Sequence, residues 1–539
     1  MDGFLSPTHR WHTFIVAAAA SVVHWLAQPP LGLWPLAWLV PIAWAYLVNL
    51  PTLPGRRPYG QLWLAGTLFW MLAAYWVCLP HPLTSIGWLA LSAYLGVYLP
   101  LFIGLSRVAR RWCPLNLACA VVWTGLELFQ AHMLSGFHMA ALSHTQYRWL
   151  KLIQIADLGG SYLVSFVIVF VCASICMVIQ RKTWSMRWQP LTTATCMLVA
   201  TLCYGHASQL PDPTTTPSLH VALIQGSIDM RVVTNTDELK KVREQTNREY
   251  FGLSEKALEA HKHTDLLIWP ETMVTESYAS ADADVTEIDG RPVSREQIDY
   301  MTLTQQAKIG SIARRFGKPM LLGIDAWHYT RTRPQRFNSA VLVDHEGHLG
   351  VRYDKMHPVM FGEYIPGADL IPGLYNFTPL TGGIEWGKSA VAIPVSNASG
   401  DSFTLCPSIC YESVLSHVIR RQVTQLREKN IESDVLVNLT NDGWFHGSAE
   451  LDMHLVCGVF RAIECRKPFL IAANTGISAV IDGNGQIVAR GGKRESTWLT
   501  AEVRRDPRRS RYSHWGDVPA GACLLVCILL TILGLRRTH

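Results

Sequence analysis

Charged side chains are scarce in this sequence. Only 16% of the 539 residues are Asp, Glu, Lys or Arg, while 49% are hydrophobic and 20 are Trp. That balance excludes one ordinary soluble domain running the whole length. No CxxC pair and no HExxH helix occurs, so no zinc site is expected, and neither another metal nor a cofactor. No segment repeats, which excludes a solenoid. Basic excess is small, a formal +6, and it gathers at the ends of apolar runs. It is therefore read as membrane anchoring and not as a nucleic-acid footprint.

The hydrophobic residues are unevenly placed. Apolar runs near 12–30, 31–50, 60–80, 84–105, 115–135, 161–180, 190–206 and 518–535 approach the ~20 residues that a spanning helix needs. QPPLG (28–32) reads as a tight turn between the first two. A cleaved signal peptide is disfavoured for the first run, because a second follows at once. Arg56 and Arg57 follow the second run, Arg107, Arg110 and Arg111 the fourth, Arg181, Lys182 and Arg187 the sixth, and Arg536 and Arg537 the eighth. The HPLTS loop after the third has none; Arg148 and Lys151 after the fifth fit the pattern least well. An excess of Lys and Arg marks cytoplasmic loops. Both termini are thus expected in the cytoplasm, and the polar stretch between runs seven and eight outside it.

That polar stretch alternates two signals. Strand-like runs include HVALIQG (220–226), DLLIWPE (265–271), PMLLGID (319–325), SAVLVDHEG (339–347), FTLCPSICYE (403–412), DVLVNLTND (434–442), PFLIAAN (468–474) and a hairpin about GNGQ (483–486). Helical patterns fall near 237–261, 303–316, 413–430 and 449–466. Alternation of this kind predicts a layered α/β domain. The division expected is a membrane domain 1–206 of seven helices, a Pro/Thr-rich linker 207–218, an α/β domain 219–515, and a last spanning helix with a basic tail, 516–539.

Of 13 cysteines, nine lie in or beside apolar runs, leaving Cys406, Cys410, Cys457 and Cys465 in the α/β domain. Cys406 and Cys410 stand at even spacing in one strand-like run, hence on one face and not as cross-strand partners. Cys410, in PSICYES, is open to four readings: core filler, since free Cys is a commonly buried residue, half of a disulfide, a metal ligand, or a nucleophile. Its neighbourhood argues for the last. Glu271 ends the WPE strand, Lys355 follows RYD, and Cys410 ends its own run. A carboxylate, an ammonium and a thiol at strand ends are placed where α/β sheets gather chemistry. The carboxylate can take the thiol proton, and the ammonium can face an oxyanion.

WPE, Y-x-K-x-H-x-x-x-FGE-x-x-P and ICYE, in this order, resemble the three motifs of the nitrilase superfamily, whose αββα sandwich carries a Glu–Lys–Cys triad. NLTNDGWF (438–445) and HLVCGVFRAIE (454–464) resemble it too. Flanking spans, Trp123 and Glu127 in W-x-x-x-E, SGFHMAALSHTQ (135–146) and IADLGGSYLVSFVI (155–168) are similar to one branch, the apolipoprotein N-acyltransferase family. The resemblance implies Glu271 as general base, Lys355 as stabiliser of thiolate and oxyanion, and Cys410 as nucleophile. It implies supporting roles for Glu363, which would orient Lys355, and for Tyr411 and Glu412. Asn338, Trp444 and Phe445 are expected in the substrate pocket. His454 and Arg461, two turns apart on one helix face, are left outside the catalytic set, and Glu127 stands equally for a substrate path or a helix–helix hydrogen bond.

The implied reaction moves an acyl chain from a phospholipid, phosphatidylethanolamine-like, through a cysteine thioester to the N-terminal amine of a diacylated apolipoprotein. The implied setting is a monomer in the bacterial inner membrane with its α/β domain on the periplasmic side. A membrane-anchored amidohydrolase and a catalytically dead lipid-binding relative are the alternatives. Segment 359–387 carries the aromatics and glycines of a lid. Several positions depart from the family pattern: Ser227 in QGS, Pro358 and Met360 in KMHPVMFGE, GFHM at 136–139, and a polar excursion at 278–302. None touches the three reactive residues.

Overall fold

A computed structural model describes residues 10–180, 188–209, 216–229, 235–288, 290–368, 370–371, 375 and 383–536. The anchors Arg181, Lys182, Arg187 and Arg537, the middle of the linker and much of segment 369–382 lie outside the described residues. The chain forms two compact units. The first comprises Met1–Pro211, Ser448–Glu464 and Ser510–His539, and the second Asp212–Gly447 and Cys465–Arg509. This grouping departs from the expected division at two places within 219–515: Ser448–Glu464, the helix that follows NDGWF, and residues 510–515 group with the first unit, not with the α/β unit.

The first unit is helical. Its apolar helices include His12–Ala27, Val40–Asn49, Pro58–Ala73, Thr84–Gly96 continued by Tyr98–Ala109, Leu115–His132, Ala156–Gln180, Trp188–Ser208 and Val518–Arg536. Among the described residues, three stretches are long and apolar enough to cross a membrane: Thr84–Ala109, Leu115–Ser135 and Ala156–Gln180. The second expected span is a 3-10 turn, Trp34–Trp38, followed by a helix of only ten residues. Helix Ala156–Gln180 is broken at Gly159 and Gly160, where φ leaves the helical range. The amide thus freed at Ser161 donates to Glu464 Oε1 at 2.9 Å. Glu464 is also the ion-pair partner of buried Arg461, Nε to Oε2 at 2.7 Å. Arg461 therefore belongs to a packed ionic clamp. Glu127 accepts from Ser165 Oγ at 3.0 Å, the helix–helix hydrogen bond that was one of its two readings.

The second unit holds two main sheets. Its strands, in chain order, are β1 Ser218–Gln225, β2 Leu266–Trp269, β3 Tyr278–Ala281, β4 Glu287–Ile288, β5 Arg291–Pro292, β6 Met320–Tyr329, β7 Pro334–Val343 and β8 Leu349–Asp354. There follow β9 Ile393–Ser396, β10 Ser402–Ile409, β11 Val435–Thr440, β12 Phe469–Ala473, β13 Ala479–Ile481, β14 Ile487–Arg490 and β15 Thr497–Arg504. One sheet runs β15-β1-β2-β6-β7-β8 with β3 beside β6, and the other β14-β13-β12-β11-β10-β9. The two touch through β1 and β12 and through β7 and β10, so they form a sandwich. β1, β2 and β6 are mutually parallel, as are β10, β11 and β12. Reactive side chains that follow β2 and β10 thus leave their sheets at carboxyl ends.

Helices Thr236–Ala260 and Arg295–Phe316 cover the first sheet. Tyr250, Leu253 and Ala257 from one, and Ile309, Ile312 and Ala313 from the other, share its buried core with Trp269, Leu322 and Val341. The polar excursion at 278–302 supplies β3, the small β4–β5 hairpin and the start of the second helix. That helix begins eight residues before the expected 303, at a capping box in which Ser294 and Gln297 satisfy each other's backbone amides. The expected turn at GNGQ is present, with Gly485 N donating to Asp482 O at 2.9 Å.

Candidate active site

Glu271 is fixed by the strand before it. Trp269 ends β2 wholly buried, its Nε1 donating to Ser254 Oγ at 3.0 Å. Pro270 then stops the ladder and Glu271 turns out of the sheet. Gly323 on β6 makes room: a Cβ there would stand 2.6 Å from Glu271 Cα. The buried carboxylate accepts from Asn338 Nδ2 at 2.6 Å on Oε1 and from the Asn441 amide at 2.8 Å on Oε2. Lys355 Nζ lies 3.6 Å from Oε1.

Lys355 follows β8 and is fully enclosed. Its Nζ donates to Glu363 Oε1 at 2.8 Å, and the Val359 amide holds Glu363 Oε2 at 2.7 Å. Glu363 thus links the ammonium to the Val359 amide. The amide of Asn338, a residue expected in the pocket wall, bridges the two carboxylates, reaching Glu363 Oε1 at 3.3 Å. Burial alone would push the Lys355 ammonium down, but Glu363 and Glu271 outweigh it and hold it above its ordinary value. It stays charged. Burial pushes the Glu271 carboxyl up, against the pull of Lys355.

Cys410 is not on the strand. β10 ends at Ile409, and Cys410 adopts φ +51°, opening the short turn Cys410–Val414. The alternation that would have put Cys406 and Cys410 on one face is broken by that left-handed residue. A non-glycine residue at such φ carries strain that its surroundings must offset. They do so through hydrogen bonds to its carbonyl from Asn438 Nδ2 and Ser413 Oγ, both at 3.2 Å. The thiol is half-buried, and burial, then Glu271, push it well above its ordinary value, while Lys355 draws it down. At neutral pH it rests as a thiol.

Glu412 closes the other side of the turn. Its two oxygens receive Tyr353 OH at 2.8 Å, and the amides of Met356 (2.7 Å), His357 (3.0 Å) and Ile409 (2.7 Å). Gln422 Nε2 in turn donates to Tyr353 OH at 2.6 Å. One carboxylate thereby ties the Cys410 turn to the segment that carries Lys355. Tyr411 is half-buried within the turn, and Trp444 and Phe445 are half-buried in the short turn Asp442–Phe445 after β11. Cys406 is enclosed in β10, its thiol pushed up by burial.

Sequence reasoning missed Asn441, Asp442 and the Tyr353–Gln422 pair. Asp442 adds a second negative influence on the Cys410 thiol. Only the ND inside NLTNDGWF pointed that way. Ser227, one of the departures, sits at φ +55° and donates its amide to Asn474 O at 3.0 Å. Segment 359–387 presents exposed Phe361, Leu370, Ile371 and Trp386.

Residues 20–174 match the apolipoprotein N-acyltransferase N-terminal domain, and residues 220–511 match carbon-nitrogen hydrolase. An apolipoprotein N-acyltransferase of Rhodopirellula baltica is 32% identical, with 95% of this chain and 95% of that protein covered. One of Geobacter metallireducens is 31% identical over 97% of this chain and 95% of its own. Among solved structures, an amidase from Nesterenkonia sp. aligns over 56% of this chain and 95% of its own at 17% identity, with a TM-score of 0.36. By its two matched domains and by relatives of this identity along nearly its whole length, the chain belongs to the apolipoprotein N-acyltransferase family.

Proposed function

We propose that this protein transfers an acyl chain from a phospholipid to the N-terminal amine of a diacylated apolipoprotein, through a thioester on Cys410. The observation that carries the reading is the left-handed Cys410 turn, whose thiol lies within the electrostatic influence of both Glu271 and Lys355, each fixed by its own hydrogen bonds.

In the first half-reaction Cys410 Sγ attacks the ester carbonyl of the donor, and its proton passes to Glu271. Lys355 Nζ faces the oxyanion of the tetrahedral intermediate. Collapse breaks the C–O bond, and the leaving lysophospholipid oxygen takes the proton back from Glu271. In the second half the neutral acceptor amine attacks the thioester and gives a proton to Glu271. The C–S bond breaks and Cys410 is reprotonated. Asn338 and Glu363 position Glu271 and Lys355, and Glu412 and Tyr411 shape the turn. Trp444 and Phe445 line the path of the acyl chain.

Both substrates carry lipid chains, so the first unit serves as a multi-span membrane domain, with the final helix closing it. The Lys and Arg residues that follow the even-numbered apolar runs support a topology on the bacterial inner membrane with both termini in the cytoplasm and the α/β unit in the periplasm. The exposed apolar side chains of segment 359–387 fit a lid that keeps water from the thioester. The protein acts as a monomer.

The purified enzyme, given a phospholipid with an isotopically labelled acyl chain and a diacylated lipopeptide, is expected to yield N-acylated lipopeptide. Label recovered only as free fatty acid would replace this reading with that of a membrane-anchored hydrolase.

A further inference from the structure

The arginines at one end of the first unit fall into two groups. Arg107 and Arg110 are committed to backbone: Arg107 donates to the carbonyls of Leu47, Val48, Leu50 and Pro51, and Arg110 to that of Val48, at 2.6–3.2 Å. These carbonyls end helix Val40–Asn49, where cations are favoured. Arg10, Arg56 and Arg57 have no such partner. Among the described residues none of the three forms an ion pair, yet all three line one open hollow with Trp11 and Gln61.

The hollow is built. Gln61 is 6% exposed and uses its whole amide on the segments that carry the arginines. Its Nε2 donates to Arg10 O at 2.9 Å and Arg56 O at 3.0 Å, and its Oε1 accepts from Phe14 N at 3.0 Å. Thr13 Oγ1 donates to Pro54 O at 2.7 Å. Gly55, at φ +104°, allows the contact, since a Cβ there would stand 2.5 Å from Arg10 O. Three cations are thus gathered by buried polar bonds, at the self-repulsion this entails.

We propose that this hollow binds the phosphate-bearing headgroup of an anionic membrane lipid. Guanidinium groups match phosphate oxygens in bidentate geometry. The position favours a lipid over free phosphate. Apolar helix His12–Ala27 starts at the next residue, and Trp11 and Tyr59 are 43% and 48% exposed, as aromatics at a membrane–water boundary are. The inference rests on the membrane reading of the first unit but not on the acyl-transfer chemistry, and none of its residues belongs to the candidate active site.

The test uses the full-length Cys410→Ala protein in detergent, which takes no acyl group. Native mass spectrometry would count bound phosphatidylglycerol, cardiolipin and phosphatidylethanolamine, with inorganic phosphate as competitor. One tightly held anionic lipid per chain is expected, with phosphatidylethanolamine and millimolar phosphate failing to displace it. Arg10→Gln, Arg56→Gln and Arg57→Gln should each weaken it about fivefold, and the triple variant roughly a hundredfold. Arg111→Gln, an exposed cation outside the hollow, should change nothing. Gln61→Leu keeps every charge but removes the assembly, and should weaken binding by at least about fivefold. Equal losses for Arg111→Gln and Arg57→Gln would reduce the effect to diffuse attraction and overturn the site. Displacement by phosphate alone would make it a soluble-anion site and overturn the lipid assignment. Failure of the Cys410→Ala protein, all arginines in place, to retain any anionic lipid, while the wild-type enzyme still transfers acyl chains, would sink this inference and leave the proposed function standing.

Discussion

Two buried glutamates flank Cys410, and they differ in how fully they are hydrogen-bonded. Glu412 receives a tyrosine hydroxyl and three backbone amides. Glu271 receives one side-chain amide and one backbone amide, with an ammonium 3.6 Å away. Burial pushes both carboxyls up. A saturated carboxylate gains little from a proton, because protonation would set an O–H against donors already in place. An undersaturated one has a lone pair to offer. In the proposed mechanism the contrast separates a residue that holds the turn from one that exchanges a proton, though sequence shows only a Glu near each motif.

The largest expected effect belongs to the thiol between them. Cys410→Ala should lower acyl transfer by roughly four to six powers of ten, as loss of a nucleophile does elsewhere. Next comes Glu271→Gln, expected to cost about two to four powers of ten. It should also change the pH profile. Glu271 acts only when deprotonated, and its pKa is raised, so the wild-type rate should fall with falling pH at values above the ordinary carboxylate range. The Gln variant should lose that acid limb; a retained limb would move the base elsewhere. Lys355→Ala should lower kcat by about two to three powers of ten through the lost oxyanion donor. Glu412→Gln sharpens the comparison. Its amide NH2 would meet at least one backbone N–H, so stability should fall by about 1–3 kcal/mol. Its kcat should drop no more than about a hundredfold, from misplacement, with the acid limb kept. If Glu412→Gln abolished the limb and Glu271→Gln did not, the two roles would be exchanged. Smallest is Cys406→Ala, expected to keep activity and lose about 1 kcal/mol to a small cavity, measured by denaturant unfolding.

The legible parts of this site are those in which chemistry and chain are adjacent. WPE, RYDK and CYE each pair a strand with a polar residue just past its end, and apolar runs place β2 and β10 close to where they lie, whereas β8 (Leu349–Asp354) had no run of its own. The bridge from Asn338 to Glu271 and Glu363 was not legible, because it joins β7 to residues 67 positions before and 25 after it. Nor was the Asn441 amide, since a backbone donor has no sequence signature. β15 escaped because it is half-exposed along most of its length. Helix Ala449–Cys465 shows why domain limits fail: an apolar face reveals that a helix packs, not against which core. Cys410 carries the sharpest lesson. Even spacing from Cys406 predicts a shared face, and a single residue at positive φ cancels it.

Peptide-resolved mass spectrometry of the enzyme after exposure to phospholipid alone tests the central claim most directly. One acyl group on the peptide containing Cys410 is predicted for wild type and for Cys406→Ala. None is predicted for Cys410→Ala, and a greatly slowed appearance for Glu271→Gln. An acyl group on Cys406, or its formation at an unchanged rate without Glu271, would contradict the account.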